Sequence, residues 1–478
     1  MGVAGDENKG TEQAGFQLWG TRFQSGLAPE AEAFNRSLPV DSRLWREELE
    51  VAAAWVEALA VQGVLESGEA EALTGGLERV AERLAGHVAD TAPDEDIHTL
   101  VERLLTDEVG ELAGKLRTGR SRNDQAATAT RLWVRRAVDD VDGRIARLQT
   151  ALLTQAEATI DLLVPSYTHL RRAQPIRLAH FFLSHFWPLQ RDRARWAQVR
   201  NSASVMPLGA GAVAGSGFPL DRDALKERLG FVAVAPNSID AVSDRDFVAE
   251  LAFAGALLGA HLSRLAEDLI VFSSSEFGFL RFADPYSTGS SLMPQKRNPD
   301  IAELARGRSA GLLADVTAAL ALLKGLPTGY NKDLQEDKSI LFGAYDALHL
   351  LLPAFAGAVE TLEVDAGAAA AVLDPSVLAV DLADALVRAG VTFRDAHAAV
   401  GALVGLAEKE GVSILGVEAE KARELHPALP GAITALGEGS TAYEKSVESR
   451  SISGGTARAA ILEQIKAARS ALSSFSGT

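Results

Sequence analysis

The chain is predicted to be all-α and built around a bundle of long helices, and three observations predict it. Apolar residues recur every three or four positions through several long stretches. Alanine and leucine are abundant while aromatics make up only 6% of residues, and these two residues lose little side-chain freedom in a helix. Alternating apolar–polar runs, which a half-buried strand needs, are few and short.

In chain order, helical patterns cover about 42–63, 70–86, 122–160 and 177–201. The segment 204–220 is rich in glycine and reads as a turn or small hairpin. From Phe247, a stripe of Phe247, Leu251, Ala254, Leu258, Leu262, Leu265 and Leu269 describes a long core-facing helix. Ser243 and Asp246 are read as its N-cap and acidic first turn. Another long helix starts near Pro299 and runs to Lys324. Asn298 suits its N-cap, Pro299 its first position, and Gly325 with Pro327 its stop. Patterns at 337–362 and 376–408 complete the set. Boundaries near Gly119 and Ala368 divide the chain into an N-terminal helical domain (1–119), a central long-helix domain (120–368) and a C-terminal helical domain (369–478). No repeat with a period of 20 to 50 residues is visible.

Composition narrows the function classes. The 478 residues suffice for a large core. The net charge of -17 argues against nucleic acid, so an anionic substrate must meet a local cluster of positive charge. Without cysteine, disulfides and thiolate metal sites are excluded. Residues 1–15 lack the basic start and apolar stretch of a signal peptide, and no apolar run of 18 residues is apparent. The expectation is a soluble, cytoplasmic protein that contacts no membrane.

Two features imitate cofactor or metal sites. Gly209-Ala-Gly211 fits a relaxed dinucleotide fingerprint but lacks a βαβ setting. His180 and His185 fall about 140° apart around a helix, a poor zinc pair, and no HExxH is present. Neither a GxSxG elbow nor a phosphate-binding loop occurs. No cofactor and no metal are therefore expected.

The most informative segment is Gly289-Ser290-Ser291-Leu292-Met293-Pro294-Gln295-Lys296-Arg297-Asn298-Pro299-Asp300. Its small residues let the backbone approach a ligand, and a helix N-terminus gathers unpaired N–H groups that favour a carboxylate. Lys296 adds a full charge. On residue types alone, a mobile anion-binding loop with a serine base and a flexible surface loop ahead of an ordinary helix start are equally good readings.

The segment resembles the signature loop of the fumarase/aspartase superfamily. Further blocks resemble its argininosuccinate lyase family: Leu18-Trp19-Gly20-Thr21-Arg22-Phe23, Glu95-Asp96-Ile97-His98, Thr118 to Gln125, Tyr167-Thr168-His169-Leu170 with Arg172-Ala173-Gln174-Pro175, and Tyr330 to Lys338. The likeness runs from about Leu18 to beyond Val400. It implies a three-domain fold whose long-helix bundle forms a homotetramer core, with each site assembled from three subunits. It also implies an elimination that releases fumarate and arginine from argininosuccinate. By match to the motifs, Ser290 is the base, and Lys296 and Asn298 bind the carboxylate whose charge grows. His169 is placed near the leaving nitrogen and Glu303 orients it. Asn123, Thr168, Tyr330, Gln335 and Lys338 are implied to bind substrate, while Arg122 and His98 line or support the site. Gln24 or Ser25 supplies an N-terminal hydrogen bond. Two departures are mild: Arg171 stands where glutamine is usual, and Arg297 replaces the more frequent lysine. The alternatives are another fumarate-releasing lyase of the superfamily and a non-catalytic, crystallin-like structural protein.

Overall fold

The computed structural model describes residues 26–474, so the Leu18–Phe23 block, Gln24 and Ser25 lie outside the described residues. Among the described residues, 69% are helical. The principal elements are α1 (Trp45–Val61), α2 (Ser67–Ala85), α3 (Ile97–Val109), α4 (Arg122–Ala158), the hairpin β1 (Leu163–Thr168) and β2 (Arg171–Arg177), α5 (Leu178–Ser202), α6 (Asp246–Phe272), α7 (Asp300–Leu323), α8 (Asp337–Glu360), α9 (Ala379–Arg388), α10 (Phe393–Glu410) and α11 (Arg458–Ser474). At 1.5 Å per residue α4 is about 55 Å long.

Two compact units divide these elements. One comprises Met1–Asp140, Arg195–Ala254 and Ala314–Asp346; the other comprises Val141–Ala194, Gly255–Leu313 and Ala347–Thr478. In the first unit, α1, α2 and α3 bury Trp55, Leu59, Val80, Leu100 and Leu104. Gly76 lets α2 lie close to α3, since a Cβ there would fall 2.7 Å from Val109 and 2.8 Å from Leu105. Asp96 caps α3 by accepting from the Thr99 N–H at 2.6 Å. Arg245 and Asp337, both fully buried, pair at 2.5 Å.

In the second unit, Gly259 brings α6 against α7, where its carbonyl accepts from Ser309 Oγ at 2.8 Å. A Cβ at Gly259 would sit 2.9 Å from Leu312. The same half of α7 leaves Leu304, Gly307, Ala310, Gly311 and Leu313 exposed beside Glu303, Arg306 and Arg308, a mixed face of small relief. The C-terminal helices α9 and α10 close a separate cluster around Leu382, Leu386 and Leu403.

Every residue of the Phe247–Leu269 stripe is buried, as its period requires. Elsewhere the structure corrects the sequence reading. Ser243 ends a preceding helix, and the carboxylate at the start of α6 is Asp244, accepting from the Asp246 N–H at 2.8 Å. The pattern at 376–408 is interrupted between α9 and α10, where Gly390 takes a φ of 93° and Thr392 caps the second helix. Of the two readings of 204–220 the turn holds and the hairpin does not, because Val205–Met206 pairs in parallel with Ala233–Val234. Asn298 does not cap α7, because its side chain turns to Thr288 Oγ1 and the Gly289 carbonyl (3.4 and 3.5 Å). The Pro299 carbonyl accepts the first helical bonds instead. Two helical stretches, Asp246–Phe272 and Lys332–Glu360, are in fact long and apolar enough to cross a membrane by length and composition. About half of each is buried inside the chain, with Leu251, Leu258 and Leu262 facing the core, so protein packing accounts for that apolarity.

Candidate functional site

The predicted residues fall into two groups, one in each unit. In the first unit, His98, Arg122, Tyr330, Gln335 and Lys338 line one cleft of about 230 Å³. Local structure explains their convergence. The Asp96 cap starts α3 so that His98 lies in its first turn, and Arg122 is the first residue of α4. Gln335 belongs to the 3-10 turn Lys332–Glu336, which runs directly into α8 and delivers Lys338. Asn123 lies outside this lining and donates to the Ala212 carbonyl at 3.3 Å.

The cleft is held by polar contacts. Gln335 donates to the Asn35 carbonyl at 3.3 Å, and Lys332 pairs with Glu95 at 3.1 Å. Lys338 is buried against Asp337 at 2.7 Å. Arg122 lies 3.5 Å from Asp96 and 3.7 Å from Glu102. Burial pushes the Glu102 carboxyl up to about 7, against the pull of Arg120 and Arg117. Burial, with the Asp96 charge, pushes Asp41 up to about 6. Burial also raises the Tyr330 phenol. Sequence reasoning missed this acidic wall of Asp41, Glu95 and Asp96. Its one legible signal was the Glu95-Asp96 pair just ahead of His98.

In the second unit, Ser290 sits in the loop that precedes α7. The loop is clamped at its base: Thr288 and Asn298 exchange backbone hydrogen bonds, Thr288 Oγ1 bonds the Asp300 carboxylate, and Arg297 bonds Asp284 and the Phe282 carbonyl. Arg297 thus secures the loop's base. Ser290 Oγ accepts from the backbone N–H groups of Leu292 (3.3 Å) and Met293 (3.0 Å). Two N–H dipoles aimed at one oxygen favour its anionic form.

Thr168 and His169 stand at the tip of the β1–β2 hairpin, which the sequence reading did not anticipate. Thr168 pairs with Arg171, leaving His169 and Leu170 as a two-residue turn with φ of 55° and 56°. Two positive φ values are the signature of a type I′ turn, ordinarily filled by Asn-Gly. His169 and Leu170 hold that conformation at a steric cost on the order of 1 kcal/mol each. Thr168, His169, Lys296 and Glu303 are exposed. Among the described residues, no hydrogen bond or ion pair joins Ser290, His169, Lys296 and Glu303 to one another.

Among the described residues, no group of three or more histidines and carboxylates could hold a metal ion. His180 is half-buried, its inaccessible Nδ1 lacks a hydrogen bond, and His185 pairs with Asp268 at 3.1 Å. The glycine-rich turn cradles an anion of the chain itself: Gly209 and Gly211 N–H both donate to Asp124 Oδ2 at 2.9 Å.

Comparison with known proteins follows the same lines. A lyase family profile matches residues 22–312, and an argininosuccinate lyase C-terminal profile matches 376–447. The chain is 50% identical over 456 residues to an argininosuccinate lyase of Roseiflexus castenholzii, covering 95% of this chain and 99% of that one. It is 43% identical to an argininosuccinate lyase of Chlamydomonas reinhardtii, covering 95% and 96%. Among solved structures, an EDDS lyase in complex with formate superimposes with a TM-score of 0.80 at 26% identity, covering 94% of this chain and 91% of that one. The class II fumarase of Schistosoma mansoni shares the fold, with a TM-score of 0.72 at 17% identity over 84% and 90%.

Proposed function

The chain belongs to the argininosuccinate lyase family, and from that premise we propose that it cleaves argininosuccinate into arginine and fumarate. The observation that carries the reading is the convergence of His98, Arg122, Tyr330, Gln335 and Lys338 on one cleft of mixed charge. Argininosuccinate carries three carboxylates, an amine and a guanidinium. The cations Arg122 and Lys338 suit its carboxylates, and the acidic wall of Asp41, Glu95 and Asp96 suits its cationic groups. A purely anionic substrate such as malate would gain nothing from that wall.

The proposed reaction is a stepwise elimination. Ser290, as its alkoxide, takes the proton from the carbon beside a carboxylate. The electron pair moves into that carboxylate and gives a doubly charged aci-carboxylate, which Lys296 and Asn298 stabilise. The carbon–nitrogen bond then breaks, its electrons go to nitrogen, and a proton delivered there lets arginine leave while fumarate remains. His169, oriented by Glu303, acts at that nitrogen. Asn123 and Thr168 complete substrate binding. The two N–H groups on Ser290 Oγ support its role as base.

The exposure of Thr168, His169, Lys296 and Glu303 supports a site completed by further copies of the chain, in a homotetramer. The exposed face of α7 supports the same assembly. Release of arginine supports a place in arginine biosynthesis. The deciding experiment follows fumarate absorbance with argininosuccinate, malate, aspartate and adenylosuccinate offered separately. Turnover of argininosuccinate alone is expected. Turnover of another substrate would overturn the assignment, and silence on all four from folded oligomer would favour a structural role.

A further inference from the structure

Glu48 lies on α1, has no assigned role, and is completely buried beneath the cleft. Its Oε2 is 2.6 Å from His98 Nδ1, and its Oε1 accepts from Gln125 Nε2. Gln125 Oε1 in turn accepts from Arg122 at 3.4 Å. One carboxylate therefore reaches two cleft-lining side chains, His98 directly and Arg122 through an amide. Burial pushes the Glu48 carboxyl up, while Arg120, Arg122 and the Gln125 amide favour its charged form.

We infer that Glu48, with Gln125, is a positioning residue that fixes the His98 ring and the Arg122 guanidinium for substrate. An ionised carboxylate only accepts, so the His98 proton rests on Nδ1 and Nε2 is left for the cleft. Such a partner sets tautomer and ring orientation without touching substrate. The bidentate arrangement also fixes relative placement, because neither arm can shift without disturbing the other. A structural acid on α1 would need neither contact, and an apolar residue of similar volume would fill the space without the desolvation cost.

The inference rests on the cleft being the substrate site, and its test separates the two. Wild-type turnover of argininosuccinate decides the site. A double-mutant cycle then decides Glu48. Glu48→Gln is expected to lower kcat/KM roughly 10- to 100-fold, and Glu48→Gln with His98→Asn to fall by clearly less than the product of the two single losses. Glu48→Asp is expected to restore part of the loss. Losses that multiply, or an unaffected Glu48→Gln enzyme, would overturn the proposal. A readout independent of substrate is the ring N–H proton of His98, expected as a strongly downfield resonance in the full-length protein and absent from Glu48→Gln and His98→Asn. Its persistence in Glu48→Gln would refute the contact even if no substrate were turned over. Should Glu48→Gln fail to fold, Gln125→Leu cuts the second arm alone. It is expected to raise KM roughly tenfold with kcat held, and an unchanged KM would count against the inference.

Discussion

The cleft of the first unit and the loop and hairpin of the second are built on opposite plans. Around the cleft, His98 and Lys338 are buried and partnered, Arg122 is threaded among carboxylates, and a buried glutamate lies beneath. Ser290, Lys296, His169 and Glu303 stand on a clamped loop, the first turn of a helix and a hairpin tip, and most of them are exposed. The difference matches the two roles proposed for these groups. Groups that recognise a charged molecule gain from being preorganised in a dry, paired setting. Groups that act on the reacting bond gain from access and from closing only when substrate is present.

The comparison is sharpened most by Ser290→Ala. It is expected to lower kcat at least roughly 100- to 10,000-fold, about 3–5.5 kcal/mol of barrier, while Tm stays unchanged because the side chain lies outside the packed core. Near-normal turnover in the fumarate assay would remove Ser290 as base. Mixing inactive Ser290→Ala and His169→Ala proteins and reassembling them is expected to restore partial activity, and no recovery from proven mixed oligomers would count against shared sites. On the cleft side, Asp337→Ala leaves Arg245 buried without its partner and is expected to cost about 3–5 kcal/mol of stability, read as a lowered denaturant midpoint.

A smaller effect follows from Glu102. Its folded pKa is raised to about 7, so the folded state binds the proton more tightly than the unfolded state. The stability this contributes is fully present below the unfolded value and is lost as pH rises through about 7. Glu102→Gln escapes that loss, and its stability is expected to gain on wild type between pH 5 and pH 8 by on the order of 1–3 kcal/mol, read as a Tm difference that widens with pH. A constant difference across that range would sink the argument. The smallest effect is at the hairpin tip, where Leu170→Gly relieves a left-handed backbone and is expected to stabilise by at most about 1 kcal/mol in thermal unfolding.

What was legible in the sequence tracks the length scale of the signal. The stripe from Phe247 to Leu269 repeats over many turns, and the helix it predicts matches the observed one nearly to the residue. The hairpin was hidden because Pro165 and Pro175 sit opposite each other in it, a bulge shifts its register, and its burial does not alternate. The parallel pair at 205–206 and 233–234 is too short to leave a periodic trace. His98, Arg122, Gln335 and Lys338 were found by resemblance of separate blocks, and only packing brings them to one cleft. Glu48 could not be found at all. Beside Glu47 and Glu50 it reads as part of a solvated helix face, and only its contacts with His98 and Gln125 reveal otherwise.

The turn at Gly209 and Gly211 has a consequence for inhibition. Both glycines have positive φ, and their N–H groups are occupied by the Asp124 carboxylate, a tethered anion at an effective concentration that no dissolved phosphate can match. Buffer phosphate, sulfate and nucleotides therefore find no vacancy at that turn. Competition by such anions, when kinetics are measured in them, is to be sought among the cations of the cleft.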